Sequence, residues 1–282
     1  MRQVEPVTFG GRLDEALSSR GSLCVGIDPH AALLRDWGLP DDASGLERFA
    51  LTCVSAIGDE AAVVKPQSAF FERFGAAGIA VLERTVRLAR DAGALVVLDV
   101  KRGDIGSTMA AYADAYLSPE APLAVDAITL NPYLGVGALE PAFELTARYD
   151  VGAFVLGLTS NPEGPRMQHA MVADGRTVAQ LVVDELGDRN VGAEPFGSLG
   201  IVVGATIGTG AVDLRGLHGP VLMPGVGAGQ GGTPEDVRRI AGVLLPAVVP
   251  SVSREVLRRG PDLKSLREAT RRLIDAFAFL RA

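Results

Sequence analysis

Asp99, Lys101 and Asp104 fall within one short run, Val97-Leu-Asp-Val-Lys-Arg-Gly-Asp-Ile-Gly-Ser-Thr108. A lysine set between two carboxylates keeps its proton, because opposite charge favours the ammonium. Such a lysine is a poor nucleophile. It is suited to stabilise a carbanion as it develops and then to hand it a proton. The run starts as an apolar strand, and side chains alternate faces along a strand, so Asp99 and Lys101 point the same way. Asp104 follows at the start of the next helix. Lys65 ends an earlier apolar run, Ala61-Ala-Val-Val, where it can bond to the same carboxylates. A salt-bridge network at a strand end would use the same residue types, and the pattern alone leaves that open.

A second cluster reads Pro224-Gly-Val-Gly-Ala-Gly-Gln230-Gly-Gly-Thr233 and runs into a helix. A glycine-rich loop at a helix N-terminus offers free N–H groups to an anion. Arg254 follows the last apolar run, in Ser251-Val-Ser253-Arg254, where an arginine can clamp a phosphate with two parallel bonds. This is not a Walker loop, since no Gly-Lys-Ser/Thr follows. A plain glycine turn is the alternative. His30, His169 and His218 show no ligand spacing, no Cys/His set for zinc exists, and no Gly-x-Ser-x-Gly elbow is present.

The elements that must position these residues are legible as continuous apolar runs near 23–28, 61–65, 94–99, 124–130, 152–158, 199–204, 221–224 and 243–249. Strands buried on both faces of a parallel sheet have this pattern. Helical spacing lies between them, as in Ile79, Leu82, Val86 and Ala89, and in Val178, Leu181, Val182 and Leu186. Thr233-Pro-Glu-Asp236 is an N-cap, a proline at the first helical position and acids in the first turn, and Pro261 opens the last helix. Eight strands alternating with helices predict an α/β fold, a (β/α)₈ barrel formed by 1–282 as a single domain, with a doubly wound sheet as the rival. In a parallel barrel the C-terminal ends of all strands share one face. Asp28, Lys65, Asp99 and Lys101 would then surround one mouth.

Composition narrows the partners. The 282 residues carry a net charge of −7, which argues against a general nucleic-acid or membrane-surface binder. Cys24 and Cys53 lie in apolar surroundings, as expected of a reducing cytosol. The start, MRQVEPVTFGG, has no apolar core of a signal peptide. The longest apolar run, 241–252, is well short of the ~20 residues of a membrane span. A cytoplasmic location is expected.

The motif Asp99-x-Lys101-x-x-Asp104-Ile105 resembles the signature of orotidine 5′-phosphate decarboxylases. Further pieces agree, in the family's order: Val25-Gly-Ile-Asp28-Pro, Lys65-Pro-Gln-Ser-Ala-Phe-Phe-Glu72, Asn131-Pro-Tyr-Leu-Gly135, Thr159-Ser-Asn-Pro162, Gly204-Ala-Thr206 and Ser253-Arg254. The stretches beginning at Lys65 and Thr159 resemble the longer bacterial branch, type 2. The resemblance implies a TIM barrel acting as a homodimer, without metal or organic cofactor. The reaction would convert orotidine 5′-monophosphate to UMP, the last step of de novo pyrimidine synthesis. Lys101 matches the proton donor to C6 and Asp99 the carboxylate beside the leaving carboxylate. Lys65 matches the lysine that completes the charged array and contacts ribose, and Asp28 a ribose-hydroxyl ligand. Asp104, Ile105 and Thr108 match residues that reach into the partner subunit's site. Ser160 matches the reader of the pyrimidine amide, and Gln230 and Arg254 match phosphate ligands. The loop departs from the family's Gly-Ala-Gln-Gly-Gly by one extra glycine, Gly229, which shifts Gln230. Magnesium-dependent sugar-phosphate decarboxylases and synthases share the Asp-x-Lys-x-x-Asp pattern but would need a carboxylate ligand where this chain has Lys65. A nucleotide-binding barrel without catalysis is a further alternative.

Overall fold

The computed structural model describes residues 7–208, 210–227 and 231–282. Eight parallel strands close into a barrel in sequence order. They are β1 (Cys24–Ile27), β2 (Val63–Pro66), β3 (Leu95–Arg102), β4 (Ala127–Leu130), β5 (Gly152–Leu158), β6 (Leu199–Val203), β7 (Val221–Pro224) and β8 (Val248–Val252). The doubly wound alternative is thereby excluded. Strand β8 begins five residues later than the apolar run suggests. Gly242–Ala247 instead forms a 3₁₀ helix, and it contains Pro246, which has no N–H to give a central ladder.

The helices stand where the periodicity puts them. Gly75–Asp91 buries Leu82, Val86 and Ala89 against the sheet, and Gly93 beyond it takes the left-handed conformation at φ +86°. Pro234–Ala241 is held by a reciprocal cap: Thr233 Oγ1 accepts from the Asp236 N–H, and Asp236 accepts from the Thr233 N–H. The last helix, Leu263–Ala276, starts two residues past Pro261 because Asp262 caps it, accepting from the Ser265 N–H.

The barrel is filled at the end where its strands begin. The helix Phe9–Arg20 lies across that floor and buries Phe9, Leu13 and Leu17. Phe9 meets Phe154 of β5 edge to face, with ring centroids 6.1 Å apart. Gly152 has no room for a side chain, since a Cβ there would lie 2.3 Å from the Phe9 ring. Truncating a fully buried phenylalanine costs about 3–5 kcal/mol, so this plug is a principal stabiliser of the floor.

One strand is irregular. Leu98 pairs with Ile128 and Arg102 with Leu130, so Asp99, Val100 and Lys101 stand opposite the single residue Thr129. This bulge re-aims side chains at the mouth.

Candidate active site

The mouth of the barrel gathers a fixed charge pattern. Asp99 ends the apolar part of β3 and is buried, with 6% of its surface exposed. Its two carboxylate oxygens are engaged separately. Oδ2 accepts from Lys65 Nζ at 3.0 Å, and Oδ1 accepts from Lys101 Nζ at 2.5 Å. Thr129 Oγ1 also donates to Oδ1, at 2.8 Å. Burial opposes the carboxylate, but the charges of Lys65 and Lys101 outweigh it and bring the Asp99 carboxyl down to about 2.

Lys65 is buried as deeply. Burial works against its ammonium, yet Asp99 and Asp28 outweigh that and hold the group above the ordinary lysine value. Cys24, on β1 close to Lys65, has its thiol pushed up to about 11 by burial, so it is no nucleophile.

Lys101 differs from Lys65 in exposure and backbone. Its side chain is 44% exposed, and its φ is +45°. A left-handed non-glycine residue costs about 1–3 kcal/mol and persists only where its surroundings hold it. Two neighbours do so. The Lys101 N–H donates to Thr129 Oγ1 at 2.9 Å, and Arg102 is anchored next door. Arg102 Nη2 donates to Glu72 Oε1 at 2.8 Å and to the Tyr116 hydroxyl at 3.3 Å, and its carbonyl accepts from the Asn131 N–H at 2.7 Å. Ser68 Oγ donates to the same Glu72 oxygen at 2.7 Å. The segment after Lys65 is thus tied to the residue after Lys101.

Asp104 does not stand beside Lys101 as the spacing suggests. Its Oδ1 accepts from the Ile105 N–H at 2.8 Å, and among the described residues Lys101 forms one ion pair, with Asp99. The bulge and the left-handed turn carry Lys101 back over Asp99. Ile105 is 62% exposed, and Thr108 is exposed on the helix Gly106–Leu117.

Asp28 follows β1. Its Oδ1 is buried without a hydrogen-bond partner, and so is Ser253 Oγ at the end of β8. A Cβ on Gly26 would lie 3.0 Å from Ser253 Cβ and 3.2 Å from Asp28 Oδ1, so a bare glycine lets both groups sit there. Buried polar atoms are seldom left unpaired, and a ligand hydroxyl would satisfy them.

Ser160 is exposed beyond β5, beside Gly204 and Gly225 at the ends of β6 and β7. Its loop is pinned by Gln168, which accepts from the Thr159 N–H at 3.0 Å. Gly225 and Gly227 adopt φ +84° and +140°, and Gly225 O accepts from the Gly232 N–H at 2.8 Å. Gln230 lies outside the described residues. Arg254 opens the short helix Arg254–Leu257 and is exposed, with no side-chain hydrogen bond among the described residues. Its neighbour Glu255 approaches Gly227 of the glycine loop. The helix Pro234–Ala241 spends part of its N-terminal N–H capacity on its own cap.

Thr129 was not legible as a site residue. In Ala127-Ile-Thr-Leu130 it passes for an ordinary strand former, and its one signal is a hydroxyl in a strand buried throughout.

Comparison with known proteins bears on this mouth. The model of the "Orotidine 5′-phosphate decarboxylase / HUMPS family" matches residues 21–269. Orotidine 5′-phosphate decarboxylase of Salinispora tropica is 62% identical over 267 residues, covering 95% of this chain and 96% of that protein. The Streptomyces coelicolor enzyme of the same name is 59% identical over 269 residues, with the same coverage. A Streptomyces avermitilis crystal structure, described as a candidate orotidine 5′-phosphate decarboxylase, superposes with a TM-score of 0.95 at 55% identity. It covers 100% of this chain and 99% of the other.

Proposed function

The chain belongs to the orotidine 5′-phosphate decarboxylase / HUMPS family, and from that premise we propose how its mouth performs the reaction. The enzyme removes CO₂ from orotidine 5′-monophosphate to give UMP in pyrimidine biosynthesis. The single observation that carries the mechanism is a buried carboxylate gripped on one oxygen by Lys65 and on the other by Lys101.

Breaking the bond between C6 and its carboxylate leaves an electron pair on C6, with little ring delocalisation to absorb it. The Lys101 ammonium stabilises that charge where it develops, in a site arranged before the substrate arrives. Lys101 Nζ then gives its proton to C6, forming UMP. Its half-exposed side chain regains a proton from solvent for the next cycle. Asp99, held as an anion, lies beside the substrate carboxylate, and their repulsion is relieved as neutral CO₂ departs. Lys65 balances Asp99 and reaches ribose, and Asp28 Oδ1 accepts from a ribose hydroxyl. Ser160 bonds the pyrimidine amide, and Arg254, with Gln230, holds the phosphate. Binding energy gained at the phosphate, far from the breaking bond, contributes to the chemical step.

A homodimer completes the site: Asp104, Ile105 and Thr108 reach into the partner subunit's mouth. The exposure of Ile105, and the lack of an ion pair between Asp104 and Lys101 among the described residues, support this. Mixing Lys101→Ala chains with Asp104→Ala chains should then restore turnover that neither variant shows alone. No cofactor or metal takes part. Lys65, in the place where the magnesium-dependent relatives need a carboxylate, would repel a divalent cation. The enzyme works in the cytoplasm, in keeping with the absence, among the described residues, of a helix long and apolar enough to cross a membrane.

The test is the loss of orotidine-monophosphate absorbance with purified protein in excess EDTA. Rapid formation of UMP is expected. No conversion, together with activity of magnesium-loaded protein on a sugar phosphate, would overturn the mechanism and the role of Lys65.

A further inference from the structure

We propose that the Thr129 hydroxyl is the positioning group that registers Asp99 and Lys101 to each other. The inference rests on the roles just given to those two residues. The bulge in β3 puts Asp99, Val100 and Lys101 opposite Thr129 alone, so the strand ladder has no carbonyl for the Lys101 N–H. Thr129 Oγ1 takes that N–H at 2.9 Å. The same oxygen bonds Asp99 Oδ1 at 2.8 Å, and Oδ1 is the atom that receives Lys101 Nζ.

The directions of these bonds are forced. A backbone N–H only donates and a carboxylate only accepts, so the hydroxyl accepts from Lys101 and gives its one proton to Asp99. A hydroxyl is the one common side-chain group that does both through a single atom. Thr129 is 1% exposed and sits in a strand buried along its length, so water does not compete for either bond. The consequence is geometric. One atom fixes the left-handed backbone of the proton donor and the rotation of the carboxylate on which its ammonium rests. Without it, Asp99 is held by the two lysines alone, with no neutral donor fixing Oδ1, and the Lys101 turn loses its nearest partner. An error of about 1 Å at a reacting group costs roughly 100-fold in rate.

The experiment compares Thr129→Val, which keeps the shape and removes the hydroxyl, with Thr129→Ser, which keeps the hydroxyl. Steady-state kinetics with orotidine 5′-monophosphate and equilibrium binding of UMP are measured for each. The expected result is a loss in kcat of about 100-fold for Thr129→Val, with UMP affinity unchanged and with Thr129→Ser restoring most of the rate. Parental kcat in Thr129→Val, or an equal loss in Thr129→Ser, would overturn the proposal, because packing and not the hydroxyl would then be at stake. A parallel loss of UMP affinity would overturn it too. Should Thr129→Val not fold, Thr129→Ala against Thr129→Ser makes the same comparison. Lys101→Ala, measured alongside, separates the two levels. If it keeps turnover, the role given to Lys101 fails. If it loses turnover while Thr129→Val does not, the inference about Thr129 fails alone.

Discussion

Strand β3 serves a buried carboxylate at each of its ends. At the mouth, Asp99 is 6% exposed and is gripped by Lys65 and Lys101. At the floor, Asp126, just before β4, is 3% exposed; its Oδ2 accepts from the Val96 N–H at 2.9 Å, and its Oδ1 accepts from Arg12 Nη1 at 2.8 Å. Arg12 also donates to the Asp150 carbonyl, so it laces the N-terminal helix to β4 and β5. Burial and opposite charge are common to both ends, and the cation differs. A guanidinium spreads its donors over fixed directions and keeps its proton at any pH, which suits a clamp. An ammonium is a point charge that can give a proton away. The same physics thus closes one end of the barrel and readies the other for chemistry, and the choice of cation separates the two.

The sharpest way to break this comparison is to move the cations. Lys101→Arg keeps the charge at the mouth but withholds the proton. It should lose about 10²- to 10⁴-fold in kcat, which is the usual worth of general acid catalysis, and Lys101→Ala, which removes the charge as well, should lose more. Substantial kcat in either variant would remove Lys101 from its role. Arg12→Lys, the reverse exchange at the floor, should leave kcat unchanged. Next in size is Asp126→Ala, which takes a partner from Arg12 and from Arg90 and leaves the Val96 N–H buried without one. About 3 kcal/mol of stability should be lost in urea unfolding, with kcat per folded molecule intact. A fall in kcat there would mean that the floor takes part in chemistry.

Arg254→Ala should lower kcat/KM by about 10- to 100-fold, matching a charge-assisted bond of about 1.5–3 kcal/mol. An unchanged kcat/KM would take Arg254 out of the phosphate site. The smallest effect is on stability against pH. The Asp99 carboxyl is held at about 2, below its unfolded value of about 3.9, so its contribution is complete above the unfolded value. It is lost as pH falls through the folded one, and is roughly 2–3 kcal/mol in size at one pKa unit per 1.36 kcal/mol. Lys65 is shifted upward, so its share is present below about 10.4 and lost as pH rises beyond the folded value. The pair stabilises across the range between. Urea unfolding at pH 3 and pH 7 should show a smaller difference in Asp99→Asn than in the parent, and equal differences would contradict the assignment.

The barrel and most of its mouth are legible in the sequence because both rest on local pattern. Apolar runs mark strands, and the charges that end the first three runs mark the face they share. Strand β8 is displaced because Pro246 interrupts an apolar run that composition alone cannot tell from a strand. What stays hidden depends on distant pairing or on backbone conformation. Arg12 meets Asp126 across 114 positions. The left-handed turn at Lys101 has no glycine or asparagine to announce it, and among the described residues Asp104 forms no ion pair with the lysine of its own chain. Thr129 is silent for the same reason: its role exists only opposite a bulge that no spacing rule foretells.

The plug of Phe9, Leu13 and Phe154 sets the traffic of the reaction. A barrel stoppered at its floor has a single door. Substrate arrives, carbon dioxide escapes and the finished nucleotide leaves through the same opening, so the three journeys must take turns. Any nucleotide lodged in that doorway stops all of them at once, which makes the product itself a competitor for the next substrate.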